Sequence, residues 1–403
     1  MAGVFILKMS RVNKIILSVA CGSHLSVHAL MLIVPSVLLA LKAEFSVGLD
    51  TLGMIVAAGS FMFGFGAIFA GLLEKRVGGR NLIIVYQLGT ILAVLIIIAA
   101  KSLLTLTTGI IILGAFSSLY HPAGLTMLSR RLPNLSKGLG YHGVAGSIGL
   151  ATGPLLAALF TMLYSWRAAF GVLAIVNLLL ALMTIFLIPG NRSGSEPVVD
   201  AQKTTETNRP ALILYYIIII LVGFSFAGFT TFMPTHFAIN TTAVSKVFSD
   251  TVRGGLFTTI VLLGGIVGQL YGGWAGTRYQ RTKLLFFILL LNVPLLMAIG
   301  YLQGILLVII SIVFGAVHFT IQPVGNALIA NFTHSQSRGI GYGISFFLSF
   351  GVGSIGAALG GIIAENYGVQ YVFPAMALIL IPALFVAIRL HKIYYQSKKS
   401  ISA

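Results

Sequence analysis

An unbroken run of about twenty apolar residues has few ways to fold, because as a helix rising 1.5 Å per residue it matches the roughly 30 Å of hydrocarbon in a bilayer. Such runs recur near residues 13–41, 51–73, 81–100, 103–128, 139–163 and 167–188. After a polar gap they resume near 211–238, 252–275, 283–303, 304–331, 339–364 and 370–390. The composition agrees: 58% of residues are hydrophobic and 8% charged, against roughly 45–50% and 25% in soluble domains. Backbone groups in lipid must be paired internally, and these runs are too long for barrel strands. The expectation is an all-α membrane protein of twelve transmembrane helices.

The net charge of +17 invites a nucleic-acid reading until the cations are placed. If the amino terminus lies in the cytoplasm, only Lys42, Lys101, Arg167, Lys246 and Arg253 of the 25 Lys and Arg fall outside. The other twenty fall in cytoplasmic segments, the bias expected of a multi-pass protein with both termini inside. The charge encodes topology, so no nucleic-acid partner is expected, and the lipid bilayer is. Cys21 is the single cysteine, which excludes an intrachain disulfide. Lys8, Arg11 and Lys14 before an apolar run to Cys21 imitate a leader peptide. The run continues to Leu41 and is read as an uncleaved first helix.

The segment Pro189–Pro210 is rich in Ser, Thr, Pro and charge and reads as a cytoplasmic linker over 189–210. It would join a bundle at 1–188 to another at 211–403. An offset of 201 residues sets His121, Pro122 and Gly124 against Gln322, Pro323 and Gly325, and Gly138, Gly140 and Tyr141 against Gly339, Gly341 and Tyr342. Gly71 and Arg76 meet Gly273 and Arg278 at 202, and Pro35 meets Pro234 at 199. Matches that hold nearly one offset across several helices indicate a parallel duplication of six helices.

The loop after the second span reads Gly71, Leu72, Leu73, Glu74, Lys75, Arg76, Val77, Gly78, Gly79, Arg80, Asn81, and the fifth span carries Gly140, Gly149, Gly153 and Pro154, with Ala157 and Ala158 following. Over essentially its whole length the chain resembles the major facilitator superfamily, whose loop pattern G-x-x-x-D-[RK]-x-G-x-[RK]-[RK] is met by Gly71, Arg76, Gly78 and Arg80. Lys75 stands at the acid position and Glu74 precedes it, so the usual gating ion pair is displaced. The repeat of this loop retains Arg278, with Thr277 where the acid belongs. The fifth-span residues match the family's antiporter signature, and tight helix packing accounts for the same small residues. The family's helix-four Arg is missing, since Ile110 occupies its place before Gly114. Tyr120, His121 and Pro122 resemble a tripeptide of the fosmidomycin-resistance branch, one of the drug-antiporter branches. The resemblance implies two six-helix bundles related by a pseudo-two-fold axis, acting as a secondary transporter.

All eight acidic residues fall in loops or at span ends, whereas six of the eight histidines lie within spans: His24, His28, His121, His142, His236 and His318. The resemblance places helices 1, 4, 7 and 10 around the central cavity, and His142 alone of the six lies off those helices. Depth along the helix puts His24, His28 and His318 near mid-membrane, His121 and its counterpart Gln322 in the inner third as gate candidates, and His236 near the outer end. A histidine-lined cavity without carboxylates disfavours a cation site built on acids. It suits a small organic anion or amphiphilic drug-like solute, with protons exchanged through imidazoles. One alternative is a transition metal or metal chelate on the stripe Cys21, His24, His28 and Met31; another is a non-transporting receptor. No phosphate-cradling loop and no nucleophile–base set is found, so no enzyme and no cofactor or resident metal is expected. The chain is expected to be a monomer in a bacterial inner membrane.

Overall fold

The computed structural model describes residues 9–132, 135–190, 206–244, 246–334 and 337–402. Most of the expected 189–210 linker therefore lies outside the described residues. Among the described residues, twelve helices are long and apolar enough to cross a membrane. In chain order they are α1 (Arg11–Ser36), α2 (Leu49–Glu74), α3 (Gly79–Ile98), α4 (Leu103–Ser129), α5 (Gly138–Leu163) and α6 (Trp166–Leu187), then α7 (Arg209–Asn240), α8 (Asp250–Arg278), α9 (Arg281–Tyr301), α10 (Gly304–Phe332), α11 (Gly339–Asn366) and α12 (Val369–Tyr394). Each buries one face and turns the other outward, where Leu95, Phe186, Leu270 and Phe385 are exposed. An apolar outer surface of this kind is what lipid requires.

Local chemistry sets the ends and breaks. Ser10 and Ser102 cap α1 and α4 by accepting the N–H of Asn13 and Thr105, each at 3.2 Å, which satisfies orphan first-turn donors. Asn208 does the same for α7 at Ala211, 3.1 Å. Arg80 donates to the carbonyls of Ile185 and Ile188 at the end of α6, both at 2.8 Å, a cation placed on the negative end of a helix. Proline cannot donate and crowds the preceding turn. Accordingly α4 breaks after Ser117, ahead of Pro122, and α10 breaks after His318, ahead of Pro323, at the same place in each half. After Pro35 the first helix also interrupts at Val37, and a short helix Leu38–Phe45 follows.

Helices α1–α6 and α7–α12 form two six-helix bundles, packed through α5 on α8 and α2 on α11. The bundles meet at the end distal to the amino terminus and part toward the proximal end. Midway along α5 Thr259 of α8 donates to the Ala151 carbonyl at 3.1 Å, and at the distal end Lys42 pairs with Glu365 at 2.8 Å. There a side chain at Gly53 would strike the backbone of Ala357 and Gly361. Toward the proximal end, nothing described lies within 4 Å of a side chain built at Gly71, Gly140, Gly273, Gly339 or Gly343.

Candidate functional site

Helix α1 is held in one rotation from three sides. Toward α3, Tyr86 donates to the Ser23 carbonyl at 3.1 Å and Gln87 to the Ser23 hydroxyl at 3.2 Å. Toward α6, Asn177 donates to the Ser26 hydroxyl at 2.8 Å. Toward α5, Gly149 and Gly153 let the backbone of Leu25 and Ala29 approach so closely that any Cβ at those glycines would overlap it. With these contacts made, the remaining face of α1 directs His24 and His28 at α4 and α5.

There they meet further imidazoles and a phenol. The His24 ring stacks on His142, with centroids 3.9 Å apart and planes 13° from parallel. His28 lies 4.8 Å and His121 5.1 Å from His24 by the same measure. A Cβ at Gly146 would collide with the His24 ring, so that glycine makes room for it. The break in α4 sets Tyr120 and His121 at the start of the helix's second segment, with Tyr120 buried and its neighbour turned to α1.

The hydrogen bonds form a directed chain. The Tyr120 hydroxyl is 2.5 Å from the Ala20 carbonyl, which only accepts, so Tyr120 donates there and accepts from His142 Nε2 at 2.8 Å. The His142 carbonyl in turn accepts from His24 Nδ1 at 2.7 Å. That leaves His24 Nε2 as an acceptor, facing His28 Nε2 at 3.1 Å. His121 Nε2 is buried with no hydrogen-bond partner. One side of the group belongs to the other bundle, where Phe346 of α11 lies 4.8 Å from the His121 ring.

Three sequence expectations change in position. His121, expected in the inner third, stands beside His24 and His28, with ring centroids 5.1 and 5.3 Å away. His142, set aside for lying on α5, stacks directly on His24. His318 is separate: it lies flat against Phe226 at 4.7 Å and 7°, 5.2 Å from Phe314. Gln322 is exposed. His236 donates to the Ile299 carbonyl at 2.8 Å and accepts from Asn240 at 3.0 Å, a satisfied packing role. On the α1 stripe, Cys21 packs with Ile16, Leu17 and Leu128, and Met31 packs with Val27, Phe63 and Tyr86. Cys21 is not among the ligand atoms that His24, His28 and His121 bring together, while the group holding Met31 also includes Tyr120.

The loop motif lies at the proximal end. Glu74 is buried and Arg76 exposed, while Arg278 covers the Trp274 ring at 4.5 Å. Gly78 ends the helix with φ 82°, a conformation that favours glycine. Of the α5 signature, Gly149 and Gly153 pack against α1, the Pro154 carbonyl faces Gly255 of α8, and Gly140 faces open space. Tyr120 and His142 were the residues hardest to assign from sequence. For His142 the usable signal was Gly146 one turn later, a small residue beneath a large ring.

The description "Major Facilitator Superfamily" matches residues 19–252 and 237–402. The gentisate transporter of Corynebacterium glutamicum is 25% identical over 389 residues, 89% of this chain and 84% of that protein. The fosmidomycin resistance protein of Escherichia coli is 23% identical over 283 residues, 66% of each chain. Among solved structures, the nucleoside transporter NupG superposes with a TM-score of 0.74 at 13% identity, over 93% of this chain and 99% of that one. A bacterial homologue of the lysosomal transporter Spinster, inward-facing and unoccupied, gives 0.76 at 13% identity, over 96% and 98%. With twelve spans in two bundles and a family match running almost from end to end, the chain belongs to the Major Facilitator Superfamily of secondary transporters.

Proposed function

We propose that this transporter carries a small organic anion or amphiphilic solute by alternating access, in exchange for protons. The observation that carries this reading is the cluster of His24, His28, His121 and His142 at the junction of the two bundles, in an interior without carboxylates. The described acids Glu44, Asp50, Glu74, Glu206, Asp250 and Glu365 all stand at span ends or between spans. An anion there meets imidazole and no opposing negative charge, and imidazole is the side chain whose ordinary titration lies near neutral pH. Relatives named for gentisate transport and fosmidomycin resistance support a small organic cargo.

The bundles 1–188 and 211–403, joined by 189–210, rock about this cluster. Contact at the distal end and separation at the proximal end correspond to one extreme of that motion. The cation bias supports a cytoplasmic proximal end, with both termini inside a bacterial inner membrane and the protein monomeric. Distal cations are engaged as well, Lys42 by Glu365 and Arg167 by Glu44. Glu74, Arg76, Gly78, Arg80 and Arg278 stand where the proximal gate closes, with Glu74 in the role of the displaced acid. His318 and Gln322 belong to the opposite wall of the pathway.

The test is flux of small organic anions in proteoliposomes with and without an imposed pH gradient. Gradient-driven flux that falls at least about tenfold in His24→Ala or His28→Ala is expected. Flux indifferent to the gradient and to both substitutions would reject the histidine-coupled reading.

A further inference from the structure

His24, His28 and His121 each present a ring nitrogen, and these three atoms all lie within 4.8 Å of one another. The surrounding contacts decide what two of them offer. His24 Nδ1 is committed as donor to the His142 carbonyl, so the Nε2 lone pair points into the group. An Nδ1–H bonded to a backbone carbonyl is the arrangement that orients metal-binding histidines and fixes their tautomer. His121 Nε2 is buried without a partner, a position open to a bond from a ligand. His28 Nε2 stands 3.1 Å from His24 Nε2 in a hydrogen bond, which a metal ion replaces by taking both nitrogens once the His28 proton sits on Nδ1.

Three imidazoles without a thiolate or carboxylate suit a borderline divalent ion such as Zn²⁺, Ni²⁺, Co²⁺ or Cu²⁺ and not Mg²⁺ or Ca²⁺. Metal–nitrogen bonds of about 2.0–2.1 Å set tetrahedral nitrogens about 3.4 Å apart. The longest edge of the trio must therefore close by about 1.4 Å. The ring free to make that movement is His121, whose Nε2 holds no hydrogen bond. Neutral imidazoles leave the ion's two charges uncompensated in an apolar interior, which is costly. Among the described residues no acid stands near enough to help.

We propose that His24, His28 and His121 bind a borderline divalent transition metal as cargo, with an anionic oxygen donor of a small organic chelator as fourth ligand and counter-charge. This rests on the reading of the cluster as the site for an organic anion, and it names that anion as a metal-chelating one. Cys21, packed in apolar surroundings, takes no part.

The test is titration of the purified full-length protein with cobalt(II) chloride, alone and then with citrate, read by the visible absorption of tetrahedral cobalt and by metal analysis. One cobalt per chain is expected, with affinity at least about tenfold lower in His24→Ala, His28→Ala and His121→Gln. His236→Gln should bind as the unmodified protein does, and citrate should tighten binding. No stoichiometric cobalt in the unmodified protein, or binding undiminished in a His121→Gln protein of unchanged melting temperature, would overturn the site. Organic-anion flux in proteoliposomes treated with EDTA separates the two readings. Flux that persists there without cobalt binding removes the metal and leaves the transporter of anions. Stoichiometric cobalt with no anion flux under any condition removes the anion reading and the fourth-ligand assignment together.

Discussion

The two bundles share a backbone and differ in chemistry. Both break their fourth helix before a proline, at Pro122 and Pro323, and both use glycine to bring helices into backbone contact, at Gly149 on Leu25 and at Gly223 on Ser349. The first bundle then fills its centre with four imidazoles and a phenol, all but His121 joined by hydrogen bonds. The second surrounds its one central histidine with Phe226, Phe314 and Phe319. It also replaces the regular fifth helix by a π-helical turn at Phe347–Gly351 within α11, a feature often found at functional sites. Duplication preserved what packing needs twice and left the chemistry, needed once, to one side.

The sharpest way to break this comparison is to remove a histidine from each side. His24→Ala should lower transport at least about tenfold, while His318→Ala should change it less than about twofold, both measured as initial flux at equal protein. Equal losses would mean that the chemistry is shared after all.

The shared backbone makes the opposite forecast. Gly149→Leu and Gly223→Leu each force a side chain into a neighbouring helix, and overpacking of this kind costs about 1–3 kcal/mol. Both should lower the melting temperature in detergent by similar amounts, and a bundle that tolerated its substitution would lose its claim to the common device.

A third comparison lies within the first bundle. Tyr120→Phe keeps the ring and deletes the hydroxyl, leaving the His142 N–H unpaired in the interior and the Ala20 carbonyl with its helical hydrogen bond alone. A loss of roughly 1–2 kcal/mol is expected, with flux reduced and the Tyr86 packing retained. Thermal unfolding of the Phe variant beside His142→Ala measures it, since the chain predicts that the two losses overlap instead of adding.

The smallest effect concerns the distal surface. Arg167 holds the Glu44 carboxyl below its usual range by hydrogen bonds of 2.5 and 3.0 Å, helped by the Trp166 N–H, against the effect of partial burial. A carboxyl so depressed stabilises the folded state above its unfolded pKa of about 4.3, and that contribution disappears as pH falls through the lower folded value. Because the pair is partly exposed, the loss stays under about 1 kcal/mol. Melting temperatures of the Glu44→Gln protein should accordingly differ from those of the parent at pH 7 and converge with them near pH 3.

The helices and their duplication were legible because membrane spans announce themselves by length and because glycine and proline mark backbone events wherever they occur. The His24 and His28 pairing was legible for a similar reason, since residues four apart share a helix face. His121 was misplaced in depth because counting residues assumes straight, parallel helices, and α4 is broken just before it. His142 was passed over because its contact with His24 depends on the rotation of α1. That rotation comes from Ser23, Ser26 and two glycines bonded or packed to three different helices.

The order of residues alone therefore determined the twelve spans, the two bundles, the family and the absence of acids from the interior. All of these follow from hydropathy, charge and local conformation, which act within one helix. Only the tertiary structure decided which histidines stand together, how their ring nitrogens pair, and that Cys21 stands aside. Those are contacts between helices, and their geometry is set by rotations and crossings that no single helix specifies.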